Sequence, residues 1–225
     1  SELYTAVNRW MEGLRGGLLM ATTMASAGFS AISGSTIVNA AMFTRIALPE
    51  VIARGYHKGL SAGVIAAAGT FAALIPPSLT FVIFGILIEQ SIGKLFMAGI
   101  LPGIFTAACY MAAIPLIARI RPDWIPRSEA RSTLREKVLG LRGIWPMLVL
   151  VFIVLGGIYS GIFTVNEAAA IGVVIAFLFA LLRRRLHRAA FLRVMAEASG
   201  STAMIYIMVF GATIFSYFIS VTGGP

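Results

Sequence analysis

The amino-acid sequence predicts an all-α integral membrane protein in which a re-entrant helical hairpin is followed by discontinuous and continuous transmembrane helices. Hydrophobic residues make up 59% of the 225 residues and charged residues only 12%, whereas soluble domains are roughly one quarter charged. The mean hydropathy is +0.91. Charged residues lie between long uncharged stretches, and a bilayer-crossing helix needs about 20 such residues. These stretches are Gly16–Thr44, Gly59–Ile88, Leu95–Ala118, Gly143–Asn166, Ala168–Leu182 and Ala198–Pro225.

The net charge of +9 does not indicate a nucleic-acid-binding protein, because the basic residues form short runs between the uncharged stretches. Such runs mark the cytoplasmic ends of membrane spans. Two predicted spans separate the basic run 119–142 from the basic run 183–193, so both runs lie on the cytoplasmic side. Leu95–Ala118 and Gly59–Ile88 each cross the membrane once before the first of these runs, so the short segment between them lies outside and the residues before Gly59 lie in the cytoplasm. In this scheme all of the 18 Lys and Arg residues except Lys94 are cytoplasmic.

The first uncharged stretch, Gly16–Thr44, is predicted to enter the membrane and return to the same side. Arg15 before it and Arg45 after it both favour the cytoplasm. The stretch is too short to cross twice, because two crossings of a hydrocarbon core about 30 Å thick need about 40 helical residues. We therefore expect a re-entrant hairpin whose first helix ends near Ile32 and whose second helix begins near Thr36.

The predicted tip of the hairpin is Ser33-Gly34-Ser35-Thr36. Unpaired backbone groups inside a bilayer are tolerated only where they are buried in protein or line a polar cavity. The first helix ends in carbonyl oxygens, the second begins with N–H groups at its positive dipole end, and the hydroxyls add further oxygens. This combination suits a small hard cation and a carboxylate. The alternative is a kinked helix whose small residues serve close packing. Asn39 would either reach the site or bind a neighbouring backbone group.

A second interruption is predicted at Pro76 and Pro77, within the uncharged stretch Gly59–Ile88. Adjacent prolines remove two backbone donors and interrupt a helix. Ser78 follows the prolines, and Thr70 lies before them. Discontinuous helices of this kind are typical of the ion and substrate sites at the midplane of transporters.

Two further segments have residue patterns that predict helices. Thr164 and Glu167 have the spacing of a capping box, which predicts the start of a helix. Leu134, Val138 and Leu141 would share one face of a helix, which predicts a short helix on the cytoplasmic membrane surface. The alternative for this second segment is a basic loop that only sets the topology.

Several classes of protein do not fit the composition. An intramembrane protease needs a base beside its nucleophile, but His57 and His187 lie in basic cytoplasmic stretches. A proton channel needs ionisable residues within its spans, and the hairpin and broken span have none. We expect neither an enzyme nor an organic cofactor. A non-transporting membrane scaffold is an alternative, although it does not explain two interruptions within the membrane.

Five motifs together resemble a known family. The segments "SAGFSAISGST", "RIALPE", "GTFAALIPPS", "IEQSIGKLFMAGILPG" and "GIFTVNEAAAIG" are similar to the large membrane subunit of tripartite ATP-independent periplasmic (TRAP) transporters. The resemblance implies an inverted-repeat, elevator-type transporter that uses sodium to import organic acid anions. It also implies a small four-helix membrane subunit and a periplasmic substrate-binding protein as partners.

The resemblance implies a sodium and substrate site formed by the hairpin tip and the break. Ser33, Ser35 and Ser78 are the expected sodium ligands. The chain departs from the family at Val165-Asn166, where Pro-Thr is more common, and in its length, which is that of a fragment containing about half of the family's subunit. With Asn39 beside the tip, the candidate binding residues are Ser33, Gly34, Ser35, Thr36, Asn39, Thr70, Pro76, Pro77 and Ser78.

The predicted function is sodium symport of an organic acid anion, such as a C4-dicarboxylate or sialic acid, across a bacterial or archaeal cytoplasmic (inner) membrane. A stand-alone sodium/dicarboxylate symporter is the alternative among transporters. The predicted organisation has four parts: the hairpin and its flanks in 1–58, the broken helix and following span in 59–118, a basic cytoplasmic loop with an interfacial helix in 119–142, and three transmembrane helices that begin a second repeat in 143–225.

Overall fold

The computed structural model describes residues 2–126, 133–141, 143–183 and 187–223. Every regular element in these ranges is helical, which confirms the all-α prediction. A single 3-10 turn, Pro122–Trp124, follows the seventh helix. The α-helices are α1 (Glu2–Met11), α2 (Gly17–Ser33), α3 (Thr36–Ala53), α4 (Lys58–Gly69), α5 (Phe71–Leu74), α6 (Leu79–Leu87), α7 (Ile92–Ile120), α8 (Leu134–Leu141), α9 (Trp145–Tyr159), α10 (Val165–Leu182) and α11 (Arg188–Thr222).

Helices α2 and α3 form the predicted hairpin. Helix α2 ends at Ser33 and α3 begins at Thr36, so both predicted ends are confirmed to within one residue. The two arms pack along their length, and the rings of Phe29 and Phe43 lie 6.1 Å apart edge to face. Helix α3 continues past Arg45 and is itself long and apolar enough to cross a bilayer. The re-entrant topology therefore stays a prediction, because length and hydropathy fit either path.

The predicted break in the next span is confirmed. The helical segment that ends at Leu74 and the segment that begins at Leu79 are bent by 44° relative to each other. The prolines at 76 and 77 cannot donate the hydrogen bonds that would continue the helix. A lesser interruption at Thr70 separates α4 from α5, and the sequence analysis did not predict it.

Close helix packing explains the glycines of α7. A Cβ atom on Gly99 would collide with the ring of Phe81 and would lie 2.6 Å from the carbonyl oxygen of Leu74. A Cβ atom on Gly103 would lie 3.0 Å from Ile75. The two glycines thus allow α7 to approach the broken segment at its bend, which positions that segment for the site.

Helix α8 forms as predicted and packs against α1. Arg9 Nη1 donates to the carbonyl oxygen of Glu136 at 3.1 Å, and Trp10 Nε1 donates to that of Lys137 at 3.3 Å. The N–H and the hydroxyl of Thr133 donate to the Glu136 carboxylate and hold its pKa below the usual value. The helix is therefore braced by protein contacts as well as by any membrane surface.

The predicted apolar face of α8 is only partly described. Leu134 and Val138 are exposed, as an interfacial helix requires. The side chain of Leu141, Arg142 and the basic segments 127–132 and 184–186 lie outside the described residues.

The start of α10 has the predicted capping box. The hydroxyl of Thr164 accepts the N–H of Glu167 at 3.3 Å, and the Glu167 carboxylate accepts the N–H of Thr164 at 2.8 Å. At the other end of the same helix, Arg183 Nη1 pairs with Glu2 Oε2 at 3.0 Å. This ion pair ties the end of α10 to the start of α1.

The buried core lies among α1, α2, α3, α4 and the final turns of α7, whereas the apolar faces of α9, α10 and α11 are largely exposed. Among the described residues, four helices are long and apolar enough to cross a bilayer, and two bent helix pairs raise the number to six. This pattern is that of a multi-pass membrane protein. The core residues are Tyr4, Leu18, Leu19, Ala25, Phe43, Ala47, Val51, Tyr56, Ile65, Ile114, Ala118 and Ile125.

Candidate functional site at the hairpin tip

The tip is built by a glycine that ends one helix and a serine that begins the next. Gly34 has φ +58° and its N–H donates to the carbonyl oxygen of Ser30 at 3.0 Å. A positive φ of this kind is easy only for glycine. Ser35 is the N-cap of α3, and its hydroxyl lies 3.5 Å from the N–H of Val38. The chain therefore reverses within two residues, and the ends of two helices meet at one point.

The tip contacts the break directly. The N–H of Leu79, the first residue of α6, donates to the carbonyl oxygen of Gly34 at 3.1 Å. A Cβ atom on Gly34 would lie 3.0 Å from the carbonyl oxygen of Pro77 and 3.4 Å from the N–H nitrogen of Leu79. The two interruptions that were predicted separately are thus one structural feature, which we call the tip–break junction (Ser33–Thr36 and Pro76–Leu79).

Two serine hydroxyls at the junction have unused capacity to bind a cation. Ser33 Oγ is buried and has no hydrogen-bond partner among the described residues. Ser78 is buried, and its hydroxyl donates to the carbonyl oxygen of Ala73 at 3.0 Å. A donating hydroxyl keeps its oxygen lone pairs. A buried hydroxyl without a partner costs free energy, and a bound hard cation would remove that cost at Ser33.

The other candidate residues occupy different positions. Thr36 and Pro77 are half-buried at the junction, and Pro76 is buried. Thr70 is exposed, and its hydroxyl donates to the carbonyl oxygen of Ala67 at 2.6 Å. No hydrogen bond among the described residues joins Thr70 to the tip, and the hydroxyl bond that it does make lies at the α4–α5 interruption. The assignment of Thr70 to the site stays a prediction.

Asn39 binds neighbouring groups of α2, which is one of the two roles that the sequence left open. It is fully buried, and its Nδ2 donates to Ser30 Oγ at 2.6 Å and to the carbonyl oxygen of Ser26 at 3.3 Å. Ser26 Oγ in turn donates to Asn39 Oδ1 at 3.1 Å and lies 3.0 Å from the carbonyl oxygen of Ala68. These bonds join α2, α3 and α4 behind the tip and hold the two arms in register.

Sequence reasoning missed Ser26 and Ser30. Their spacing of four residues places both on one face of α2, on the side that faces Asn39. Periodic small polar residues within an apolar helix are typical of helix–helix contacts in membranes. That spacing was the available signal.

The electrostatics of the junction come from helix ends rather than from charged side chains. The carbonyl ends of α2 and α5 and the N–H ends of α3 and α6 are adjacent to it, and these ends have opposite partial charges. Neither the stretch 16–44 nor the stretch 59–88 has an Asp, Glu, Lys or Arg residue. The junction can therefore present oxygens to a cation and N–H groups to an anion without any fixed charge.

Comparison with known proteins identifies the family. The family described as "Tripartite ATP-independent periplasmic transporter, DctM component" matches residues 1–225. The chain is 35% identical to the C4-dicarboxylate TRAP transporter large permease protein DctM of Pseudomonas aeruginosa, over 95% of this chain and 49% of that protein. It is also 35% identical to the isethionate TRAP transporter permease protein DctMQ of Oleidesulfovibrio alaskensis, over 99% of this chain and 35% of that protein.

A third relative is named for sialic acid, which is larger than a C4-dicarboxylate. The chain is 31% identical to the sialic acid TRAP transporter large permease protein SiaM of Vibrio cholerae, over 92% of this chain and 48% of that protein. The chain spans about half of the length of the curated relatives it matches, or less. The resemblance inferred from the five motifs is confirmed, and the chain belongs to the DctM family of TRAP transporter large permease subunits, which are membrane transport proteins and not enzymes.

Proposed function

We propose that the protein to which this chain belongs imports an organic acid anion by sodium symport across the cytoplasmic (inner) membrane of a bacterium or archaeon. The named relatives take up C4-dicarboxylates, isethionate and sialic acid, all of which are organic anions at neutral pH. The single observation that best supports sodium coupling is the buried, unpartnered Ser33 hydroxyl beside the carbonyl end of α2. Hydroxyl and carbonyl oxygens are suitable ligands for a hard cation such as sodium.

Coupling between the ion and the anion follows from the absence of fixed charge at the junction. A sodium ion bound at Ser33, Ser35 and Ser78 would leave net positive charge in a low-dielectric site. A substrate carboxylate beside it would compensate that charge, and the N–H ends of α3 and α6 would attract the same carboxylate. Each ligand would therefore strengthen binding of the other by the same factor.

The partners in this proposal follow from membership in the family. A periplasmic binding protein delivers the anion, a small four-helix membrane subunit completes the membrane complex, and elevator-type movement transports the site. A second sodium site and the rest of the substrate site would belong to the remainder of the second repeat, whose start we assign to 143–225.

The decisive variant is Ser33→Ala in the full-length subunit, assayed with its partners in proteoliposomes. Ser33 Oγ has no hydrogen-bond partner among the described residues, and a buried hydroxyl of this kind costs free energy. Its removal should therefore leave the melting temperature measured without sodium unchanged or slightly higher. Loss of one oxygen ligand to a charged group, worth about 1.5–3 kcal/mol, should raise the half-maximal sodium concentration at least about tenfold. Uptake should recover at high sodium concentration.

Ser220→Ala is the matched control. Ser220 lies on α11, exposed, and its hydroxyl donates to the carbonyl oxygen of Ser216 within the same helix at 2.9 Å. Its sodium dependence should equal that of the parent. Equal sodium dependence in Ser33→Ala and Ser220→Ala would reject Ser33 as a ligand, and full-rate uptake driven by a pH gradient without sodium would reject sodium symport.

The binding-protein requirement is tested separately. Uptake by the same proteoliposomes should depend on added periplasmic binding protein. Equal uptake without it would favour a stand-alone sodium/dicarboxylate symporter. A complex that shows no counterflow of any anion, with or without sodium, would instead favour a membrane scaffold.

A further inference from the structure

An apolar groove lies between α4 and α7, away from the tip–break junction. It has a volume of about 420 Å³, which is within the range of small-molecule pockets. Leu60, Gly63 and Val64 of α4 form one wall, and Tyr110 and Ile114 of α7 form the other. The space above Gly63 is open, since a Cβ atom built there would meet nothing within 4 Å.

Aromatic contacts join the two walls of the groove at both ends. At one end the rings of His57 and Trp124 stack at 4.4 Å, and the backbone N–H of His57 donates to the backbone carbonyl oxygen of Trp124 at 3.0 Å. At the other end the rings of Phe71 and Tyr110 lie 5.4 Å apart. The groove is therefore preformed and parallel to the two helices.

The His57 end of the groove is basic. Arg121 lies 5.7 Å above the Trp124 ring, and Lys58 is exposed in the first turn of α4. His57 Nδ1 accepts the N–H of Leu60 at 3.3 Å, which leaves Nε2 as the donor nitrogen of a neutral ring. Asp123 is the acidic residue of this segment. Because Lys58, Arg121 and the positive end of the α4 dipole outweigh its single negative charge, this end of the groove attracts an anion.

The groove is shorter than one membrane leaflet is thick, so its length fits part of one acyl chain. From Leu60 to Ala67, at about 1.5 Å per residue, it extends about 10 Å along α4 from its basic end, and one leaflet of the hydrocarbon core is about 15 Å thick. A helix with side chains is about 10–12 Å across. A helix of that width would not fit into a groove whose walls are joined at both ends, whereas a single acyl chain would fit.

We propose that this groove binds one acyl chain of an anionic phospholipid, whose phosphate contacts Lys58, Arg121 and the His57 ring. Basic residues close to a membrane surface attract anionic headgroups, and aromatic side chains are common at the same depth. The lipid lies against α4, the first part of the broken span, and touches neither Ser33 nor Ser78. The site is independent of sodium coupling, so its test does not depend on transport.

The test uses the full-length subunit in phosphatidylcholine nanodiscs that contain phosphatidylglycerol with a photoreactive acyl chain. Crosslinked peptides are mapped by mass spectrometry, and photoreactive phosphatidylcholine is the comparison lipid. Crosslinks should occur within 60–67 and 110–117, with a higher yield for phosphatidylglycerol. Lys58→Gln and Arg121→Gln should each reduce this preference about fivefold, the equivalent of about 1 kcal/mol per basic residue.

The blocking variant is Gly63→Leu, because the Cβ position of Gly63 is open and the longer side chain would extend into the groove. Gly211→Leu is its matched control, since Gly211 of α11 also has open space around its Cβ position. Gly63→Leu should lose the groove crosslinks, and Gly211→Leu should keep them.

Three results would overturn the proposal. Equal labelling of Gly63→Leu and Gly211→Leu would show that the lipid binds elsewhere. Equal yields for phosphatidylglycerol and phosphatidylcholine, unchanged in Lys58→Gln and Arg121→Gln, would exclude headgroup recognition. Unlabelled groove peptides in the parent protein would show that another part of the subunit, or a partner, covers the groove.

Discussion

Replacement of Gly34 by alanine tests whether the tip–break junction is a close-packed structural unit. The αL conformation of Gly34, φ +58°, costs about 1–2 kcal/mol for a residue with a Cβ atom. The new methyl group would also lie 3.0 Å from the carbonyl oxygen of Pro77 and 3.4 Å from the nitrogen of Leu79. Relief of that contact would strain the Leu79–Gly34 hydrogen bond, worth about 0.5–1.5 kcal/mol. The expected loss of stability is therefore about 1.5–3.5 kcal/mol.

Gly55→Ala separates the two contributions. Gly55 has φ +80°, and a Cβ atom built on it would meet nothing within 4 Å, so this variant suffers only the backbone strain of about 1–2 kcal/mol. Thermal unfolding of the full-length subunit in detergent should show that Gly34→Ala melts below Gly55→Ala. The half-maximal sodium concentration for uptake should rise in Gly34→Ala alone. Equal melting temperatures, together with parental sodium dependence in both variants, would refute the close-packed junction.

Two further predictions concern the hairpin. Asn39→Ala should destabilise the protein by about 1–2 kcal/mol, because it removes the interhelical hydrogen bonds to α2 and each is worth roughly 0.6 kcal/mol in a membrane; an unchanged melting temperature would show that these bonds do not hold the arms together. In a Cys109→Ala background, cysteines replacing Arg15 and Arg54 should both react with an impermeant thiol reagent from the cytoplasm only, whereas labelling from opposite faces would make the hairpin a true crossing.

Local features of the fold were predictable because their causes are local. Ser33-Gly34-Ser35-Thr36 is a cluster of small residues within an uncharged stretch, and the adjacent prolines at 76 and 77 remove two backbone donors. The hairpin tip and the break were therefore predicted at their observed positions. The capping box at Thr164 and Glu167 likewise depends on residues three apart. Membership in the family was also predictable, because the five motifs are contiguous segments.

The contacts of α7 and of Asn39 were less predictable from the sequence. Gly99 and Gly103 are four residues apart, a spacing that allows close packing without identifying the partner, and the structure shows that the partner is the bend at Leu74 and Ile75. Asn39 had two equally good interpretations until its contact with Ser26 and Ser30 was seen. In both cases the residue pattern is compatible with many neighbours, and only packing selects one.

The sequence alone determined the membrane class, the two interruptions and the family, because hydropathy, charge and turn chemistry act over a few residues. Only the tertiary structure decided that the tip and the break meet, through the bond from Leu79 to Gly34. The tertiary structure likewise left the Ser33 hydroxyl buried without a partner among the described residues and formed the groove beside His57. These features join residues tens of positions apart, and such contacts depend on how complete helices pack rather than on local preference.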